Sequence, residues 1–163
     1  LLKNNIEFLS YGIGEDVYFN LLIYSFKPKI TILNYIGYNW FFNTKSVSNT
    51  SQKGLNKNVD ILFLLNKFIE KYDSIDDYLS YYLIRYYIWY LLFSGRNANK
   101  KDFILEYNRI KMWYNDNKVS LKFSSLSKKI NGETLKNRII VFVFLALEKM
   151  HLIGLFAKFY CKG

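Results

Sequence analysis

The sequence predicts a mainly α-helical protein with short β segments, an α+β fold organised around one central helix. A nearly continuous apolar stretch over residues 75–93 lies between helix-start and helix-end signals. A long, mostly helical pattern also covers residues 133–160. Alternating or β-branched residues over 30–42 and 119–123 are typical of strands. We therefore expect helices to form most of the core.

Capping residues support the central helix. Ser74 followed by Asp77 resembles a capping box, and Gly95 is typical of the position just beyond a helix end. The apolar residues between them cover nearly every side, so the helix is buried on most sides or lies in a membrane. Arg85 at its centre disfavours a membrane span, and a buried Arg85 requires a carboxylate or carbonyl partner.

The remaining elements follow from apolar spacing and from breaks in it. A helix broken at Gly12 and Gly14 is expected in the first 26 residues, and a polar stretch over 43–58 is expected to be an exposed loop. Further helices are expected over 61–72 and 101–116, and Gly154 is expected to kink or interrupt the C-terminal helix. The length of 163 residues suits a single domain.

Charge divides the chain into two unlike halves. Residues 1–95, the near-neutral half, carry 9 basic and 8 acidic side chains, together with most of the expected aromatic core. Residues 96–163, the basic half, carry 14 basic and 5 acidic side chains. Such asymmetry indicates a polyanionic partner, either RNA or anionic lipid head groups.

We expect RNA phosphate to contact the basic clusters of the second half. These clusters consist of Arg96, Lys100, Lys101, Arg109, Lys111, Lys128, Lys129, Lys136 and Arg138. Trp113 and Tyr114 beside Lys111, and the aromatic residues 40–42, are the best candidates for stacking on bases. Core packing is the favoured role for most aromatic side chains in so aromatic a chain.

No residue pattern indicates catalysis, a cofactor or a metal. The single Cys161 and single His151 exclude a disulfide framework or a cysteine-based zinc cluster within this chain. The carboxylates at Asp73, Asp76 and Asp77 are better explained as helix caps than as an acid pair for hydrolysis. No phosphate-binding loop, nucleophile elbow or zinc-protease motif is present. We therefore expect a protein that is not an enzyme.

The composition follows codon bias rather than a physical requirement. Lys, Asn, Ile, Tyr and Phe supply 19, 17, 17, 15 and 14 residues, whereas Ala, Arg and Pro supply 3, 4 and 1. The abundant residues have AT-rich codons, and the chain begins with Leu, as a non-standard start or a processed or truncated end would give. These features resemble proteins encoded in AT-rich organelle genomes, especially those of protist mitochondria. The absence of an Arg-rich transit peptide favours synthesis inside the organelle.

This resemblance implies two main classes of function, because such genomes mainly keep genes for ribosomal proteins and for membrane subunits of respiratory complexes. The first expectation is a structural constituent of a mitochondrial ribosome, in contact with rRNA and neighbouring ribosomal proteins. The alternative is a non-catalytic membrane or peripheral subunit of a respiratory complex, with its basic half facing anionic lipid. A fragment of a nucleic-acid enzyme or maturase is a weaker third, because a convincing acidic metal triad is lacking.

Overall fold

The described part of the chain is all-helical. A computed structural model describes residues 6–8, 15–27, 29–31, 33–35, 55, 61–72, 74–130 and 132–163. Within these residues six α-helices are present: α1 (Glu15–Ser25), α2 (Ile61–Ile69), α3 (Asp77–Gly95), α4 (Lys100–Asp116), α5 (Leu135–Lys149) and α6 (Ile153–Tyr160). The predicted break at Gly12 and Gly14, the predicted loop over 43–58 apart from residue 55, and the capping role predicted for Asp73 lie outside the described part.

Helix α3 is the central helix, as predicted, although its boundaries differ. It begins at Asp77 rather than 75, because the Asp76 carboxylate accepts a 2.7 Å hydrogen bond from the Leu79 backbone N–H and acts as N-cap. Twelve of its 19 residues are buried. Gly95 is the last residue of the helix rather than a residue beyond its end. A Cβ at Gly95 would lie 2.6 Å from a ring carbon of Phe103, so glycine there allows α4 to approach α3.

Aromatic side chains join the other helices to α3. On one side, Tyr86 of α3 contacts Phe68 of α2, with ring centroids 5.5 Å apart, and Phe68 in turn contacts Tyr18 of α1. On the other side, Tyr87 lies 4.8 Å from Tyr114 of α4 and 6.0 Å from Phe144 of α5, measured between ring centroids. Helix α6 packs against both α4 and α5. The aromatic content predicted to form a core does form one.

The predicted β segments are wrong, because no strand is present among the described residues. Val119 is buried and Leu121 and Phe123 are half-buried, while Ser120 and Lys122 are exposed. The alternation at 119–123 therefore comes from a loop lying on the helical core, not from a strand in a sheet. Within 30–42, the described side chains of Ile30, Leu33 and Tyr35 are exposed.

The predicted C-terminal helix over 133–160 is two helices. It breaks at His151, which adopts a left-handed φ of 58°, and not at Gly154, which lies inside α6. The Leu152 N–H donates to the Leu147 carbonyl over 2.8 Å, as in a Schellman motif that usually places glycine at the left-handed position. Sequence spacing did not reveal this break because a histidine occupies that position.

Candidate nucleic-acid interface

The first basic cluster lies at the start of α4. Arg96, Lys100 and Lys101 are all exposed, and the Asn99 side chain caps the helix by accepting a 2.8 Å hydrogen bond from the Asp102 backbone N–H. The end of the chain reaches the same place, because the Lys162 backbone N–H donates to the Arg96 carbonyl over 2.9 Å. The fold therefore adds Lys162, which is exposed, to a cluster that the sequence identifies only in part.

The second cluster lies on the loop between α4 and α5. Lys128 and Lys129 are exposed there, and the Lys129 ammonium lies 5.7 Å from the centre of the Phe123 ring. Arg138 of α5 secures this loop by donating to the backbone carbonyls of Ser125 at 3.0 Å, Leu126, and Ser127 at 2.8 Å. Arg138 thus stabilises this loop through hydrogen bonds within the chain. Lys136, two residues before it, is exposed.

Two further residues that were predicted to bind RNA form ion pairs with carboxylates of this chain. Arg109 donates to both carboxylate oxygens of Glu106, over 2.9 and 2.8 Å. Lys111 lies 2.8 Å from Glu148 of α5, and the Tyr107 hydroxyl donates to the same carboxylate oxygen over 2.8 Å. Burial and this hydrogen bond to Glu148 raise the pKa of Tyr107. Lys111 therefore helps to hold α4 against α5, whereas the ion pair of Arg109 lies within α4.

In the basic half, the ratio of basic to acidic side chains is higher on the surface than in the sequence. Eleven of its fourteen basic side chains are exposed, and the other three are Arg109, Lys111 and Arg138. Of its five carboxylates, Glu106 and Glu148 pair as described, and Glu133 forms an ion pair with Arg85 of α3. Only Asp102 and Asp116 are exposed among the carboxylates of residues 96–163. Residues 96–163 therefore expose eleven cations and two anions.

The Arg85–Glu133 pair confirms that the arginine at the centre of α3 has a carboxylate partner. Glu133 lies just before α5, 48 residues after Arg85 in the chain. None of the described helices is both long and apolar enough to cross a membrane.

The stacking candidates Trp113 and Tyr114 belong to the core. Both are buried, the Trp113 indole N–H donates to the Asn66 side chain over 2.6 Å, and the Tyr114 hydroxyl donates to the Leu83 carbonyl over 2.6 Å. Burial raises the pKa of Tyr114 well above its usual value. Base stacking on these two rings is excluded, and residues 40–42 lie outside the described part.

Sequence reasoning overlooked five exposed lysines, because each stands apart from the basic clusters in sequence. These residues are Lys118, Lys122, Lys149, Lys158 and Lys162. Among the described residues, no group of three His, Cys, Asp or Glu side chains is placed to hold a metal. Burial raises the pKa of the Cys161 thiol, which disfavours its nucleophilic thiolate form.

No family model, curated protein or solved structure matches the chain. The surface of the chain itself is therefore the basis for a functional proposal.

Proposed function

We propose that this protein is a structural constituent of a mitochondrial ribosome that binds rRNA through its basic half. The observation that carries the proposal is the excess of eleven exposed cations over two exposed carboxylates in residues 96–163. A surface of this kind attracts phosphate wherever RNA folds close to it. The mitochondrial assignment comes from the compositional resemblance.

The role of the exposed cations is to neutralise phosphate, not to read bases. The six predicted residues that are exposed are Arg96, Lys100, Lys101, Lys128, Lys129 and Lys136. Lysine ammonium groups act as point charges on phosphate, and phosphate contacts position a protein without recognising sequence. The two buried aromatics Trp113 and Tyr114 leave no stacking platform beside Lys111. We therefore expect weak dependence on RNA sequence and strong dependence on salt.

The two exposed clusters give the protein two separate contacts with RNA. One combines Arg96, Lys100, Lys101 and Lys162 at the start of α4, and the other carries Lys128 and Lys129 on the next loop. Both rest on the same helical core, because α4 and α5 are linked through Glu148. Such an arrangement can brace two rRNA segments against each other while neighbouring ribosomal proteins occupy other faces.

The test measures binding of two unrelated structured RNAs over a series of salt concentrations. The double variant Lys128→Ala, Lys129→Ala should weaken binding to both RNAs by a similar factor. It should also reduce the slope of log K against log salt by about 1 to 2 units, because each lost phosphate contact removes about 0.7–0.9. Both side chains are exposed, so the fold should persist.

The matched control is Lys29→Ala, Lys71→Ala, which removes two exposed lysines from the near-neutral half. This variant should retain the wild-type salt slope. If the control weakens binding as much as the test variant, the contact is a general effect of net charge and the proposed interface is wrong. Loss of binding to one RNA alone would instead indicate base recognition.

The alternative, a membrane or peripheral subunit of a respiratory complex, is favoured by exposed apolar side chains on α5, such as Ile139, Phe142 and Val143. Fractionation of the native organelle separates the two functions. Sedimentation with ribosomal particles that is sensitive to ribonuclease supports the ribosomal proposal. Recovery with a detergent-solubilised respiratory complex, without rRNA, overturns it.

A further inference from the structure

Helix α5 carries an apolar arc on its outward side. Five apolar residues recur at spacings of three, four or seven residues, which places them along one side of the helical stretch and its last turn. They are Leu135, Ile139, Phe142, Val143 and Met150. Their exposed fractions are between 45 and 63%. We name these five residues the apolar arc. A surface helix normally directs its polar side outward, so this arrangement requires an explanation.

The opposite side of α5 fixes the orientation of the helix. Val141 and Phe144 are buried, and Phe144 contacts the rings of Tyr87 and Tyr107. Glu148 on the same side holds Lys111 of α4 at 2.8 Å. Rotating α5 to bury the apolar arc would break these contacts, so the arc remains outward in the folded chain.

Lysines border the apolar arc on both sides. At 100° per residue, Lys136 lies at one margin and Lys149 at the other, and both are exposed. Helix α6 continues the pattern with exposed Leu155, Lys158 and Phe159. Glu148 is the sole carboxylate within residues 135–160, and its side chain is only 13% exposed. The exposed side chains of α5 and α6 are therefore all apolar or cationic, with no exposed carboxylate among them.

We propose that the apolar arc of α5 rests on an anionic lipid surface. Ile139, Phe142 and Val143 would lie at the boundary between head groups and acyl chains, and Lys136 and Lys149 would reach the lipid phosphates. An apolar stripe bordered by lysines is the pattern of helices that lie in a membrane interface. The 15 residues of α5 extend over about 22 Å, which suits a helix lying along the surface.

The charges and the apolar side chains together favour lipid over other partners. RNA offers phosphate for the lysines but no apolar phase for the arc. A second copy related by twofold symmetry would bring this carboxylate-free surface against itself, so lysines would meet without compensating anions. Anionic lipid satisfies both features, because each lysine gains phosphate contacts while the arc leaves water.

This inference does not depend on rRNA binding, since none of the five residues of the apolar arc is among those proposed to contact RNA; Lys136, at the margin of the arc, belongs to both proposed surfaces. The test is co-sedimentation with vesicles of phosphatidylcholine and phosphatidylglycerol, compared with vesicles of phosphatidylcholine alone. Wild-type protein should bind the anionic vesicles, and binding should weaken as salt rises. Lys136→Ala, Lys149→Ala should reduce affinity by about fivefold per lysine.

The double variant Ile139→Asp, Phe142→Asp should lose anionic-vesicle binding by about tenfold or more, because two interfacial apolar groups become charged. The matched control is Leu105→Asp, Met112→Asp, which changes two exposed apolar residues of α4. The control should bind vesicles nearly as well as wild type. The two variants should bind RNA with affinities that agree within a few-fold, because each adds two negative charges.

A second variant addresses loss of folding. Phe142→Trp adds an aromatic ring of similar character at an exposed position, so the fold should persist. Its added fluorescence, relative to wild type, should shift to shorter wavelength on anionic vesicles and be quenched by brominated lipid. The proposal is overturned if the wild-type protein does not bind anionic vesicles, or if the α5 and α4 aspartate variants bind these vesicles equally well. It is also overturned if brominated lipid does not quench the added tryptophan. A homodimer that Ile139→Asp, Phe142→Asp dissociates, without vesicle binding, also overturns it.

Discussion

Ser125 and Arg138 are joined by two reciprocal hydrogen bonds. The Arg138 Nε–H donates to the Ser125 carbonyl over 3.0 Å, and the Ser125 hydroxyl donates to the Arg138 carbonyl over 3.1 Å. Ser125 is buried, and Arg138 also donates to the carbonyls of Leu126 and Ser127. This arrangement attaches the loop that carries Lys128 and Lys129 to the first turn of α5.

Removing the guanidinium should therefore destabilise the fold. We expect Arg138→Ala to lower the free energy of unfolding by about 1–3 kcal/mol, because backbone carbonyls lose charged hydrogen-bond donors. Urea unfolding measures this change. Lys136→Ala, at an exposed position two residues away, should change stability by less than about 0.5 kcal/mol. Equal stabilities for the two variants would show that Arg138 does not secure the loop.

Two glycines in helices should respond to alanine with opposite signs. Gly95→Ala places a methyl group 2.6 Å from a carbon of the Phe103 ring, which is fully buried, so overpacking should destabilise the protein by about 1–3 kcal/mol. Gly154→Ala meets no atom within 4 Å and lies in α6, so it should stabilise the protein by about 0.4–1 kcal/mol. Thermal unfolding of both variants checks the pair, and a rise in Tm for Gly95→Ala would contradict the close approach of α3 and α4.

Stability should fall in alkaline solution because buried tyrosines resist ionisation. Burial raises the pKa of Tyr87 and Tyr114 well above 10, and raises the pKa of Tyr82 to about 12. The unfolded chain loses these protons near pH 10, whereas the folded chain keeps them. The stabilisation is therefore fully present below about pH 10 and is lost as pH rises toward the folded-state pKa values.

Tyr114→Phe tests this dependence. The variant should lose about 0.5–1.5 kcal/mol at neutral pH, because the hydrogen bond to the Leu83 carbonyl is absent, and its stability should decline less steeply above pH 10. Unfolding by urea at several pH values gives both quantities. Tyr78→Phe, at an exposed position, is the control and should follow the wild-type profile. An unchanged alkaline slope in Tyr114→Phe would mean that this hydroxyl does not contribute to the pH dependence.

The helices were largely predictable because their signals are local. The apolar run of α3 and the carboxylates before it predicted that helix to within two residues at each end. The helix predicted over 101–116 is α4, Lys100–Asp116. The break at His151 was missed because it depends on a left-handed backbone at a residue other than glycine. The alternation at 119–123 was misread, since a loop lying on a core and a half-buried strand produce the same pattern of exposure.

The candidate site was predictable only in part, since six of its nine predicted cations are exposed and the other three are not. The sequence by itself determined the central helix to within two residues at each end, the near-neutral and basic halves, and the excess of lysine. Only the tertiary structure decided which cations are exposed, because Lys111 meets Glu148 from 37 residues away and Arg138 meets carbonyls at 125–127. It also decided that the outward side of α5 is apolar. Net charge is a sum over residues, whereas pairing and burial depend on which helix faces lie opposite each other.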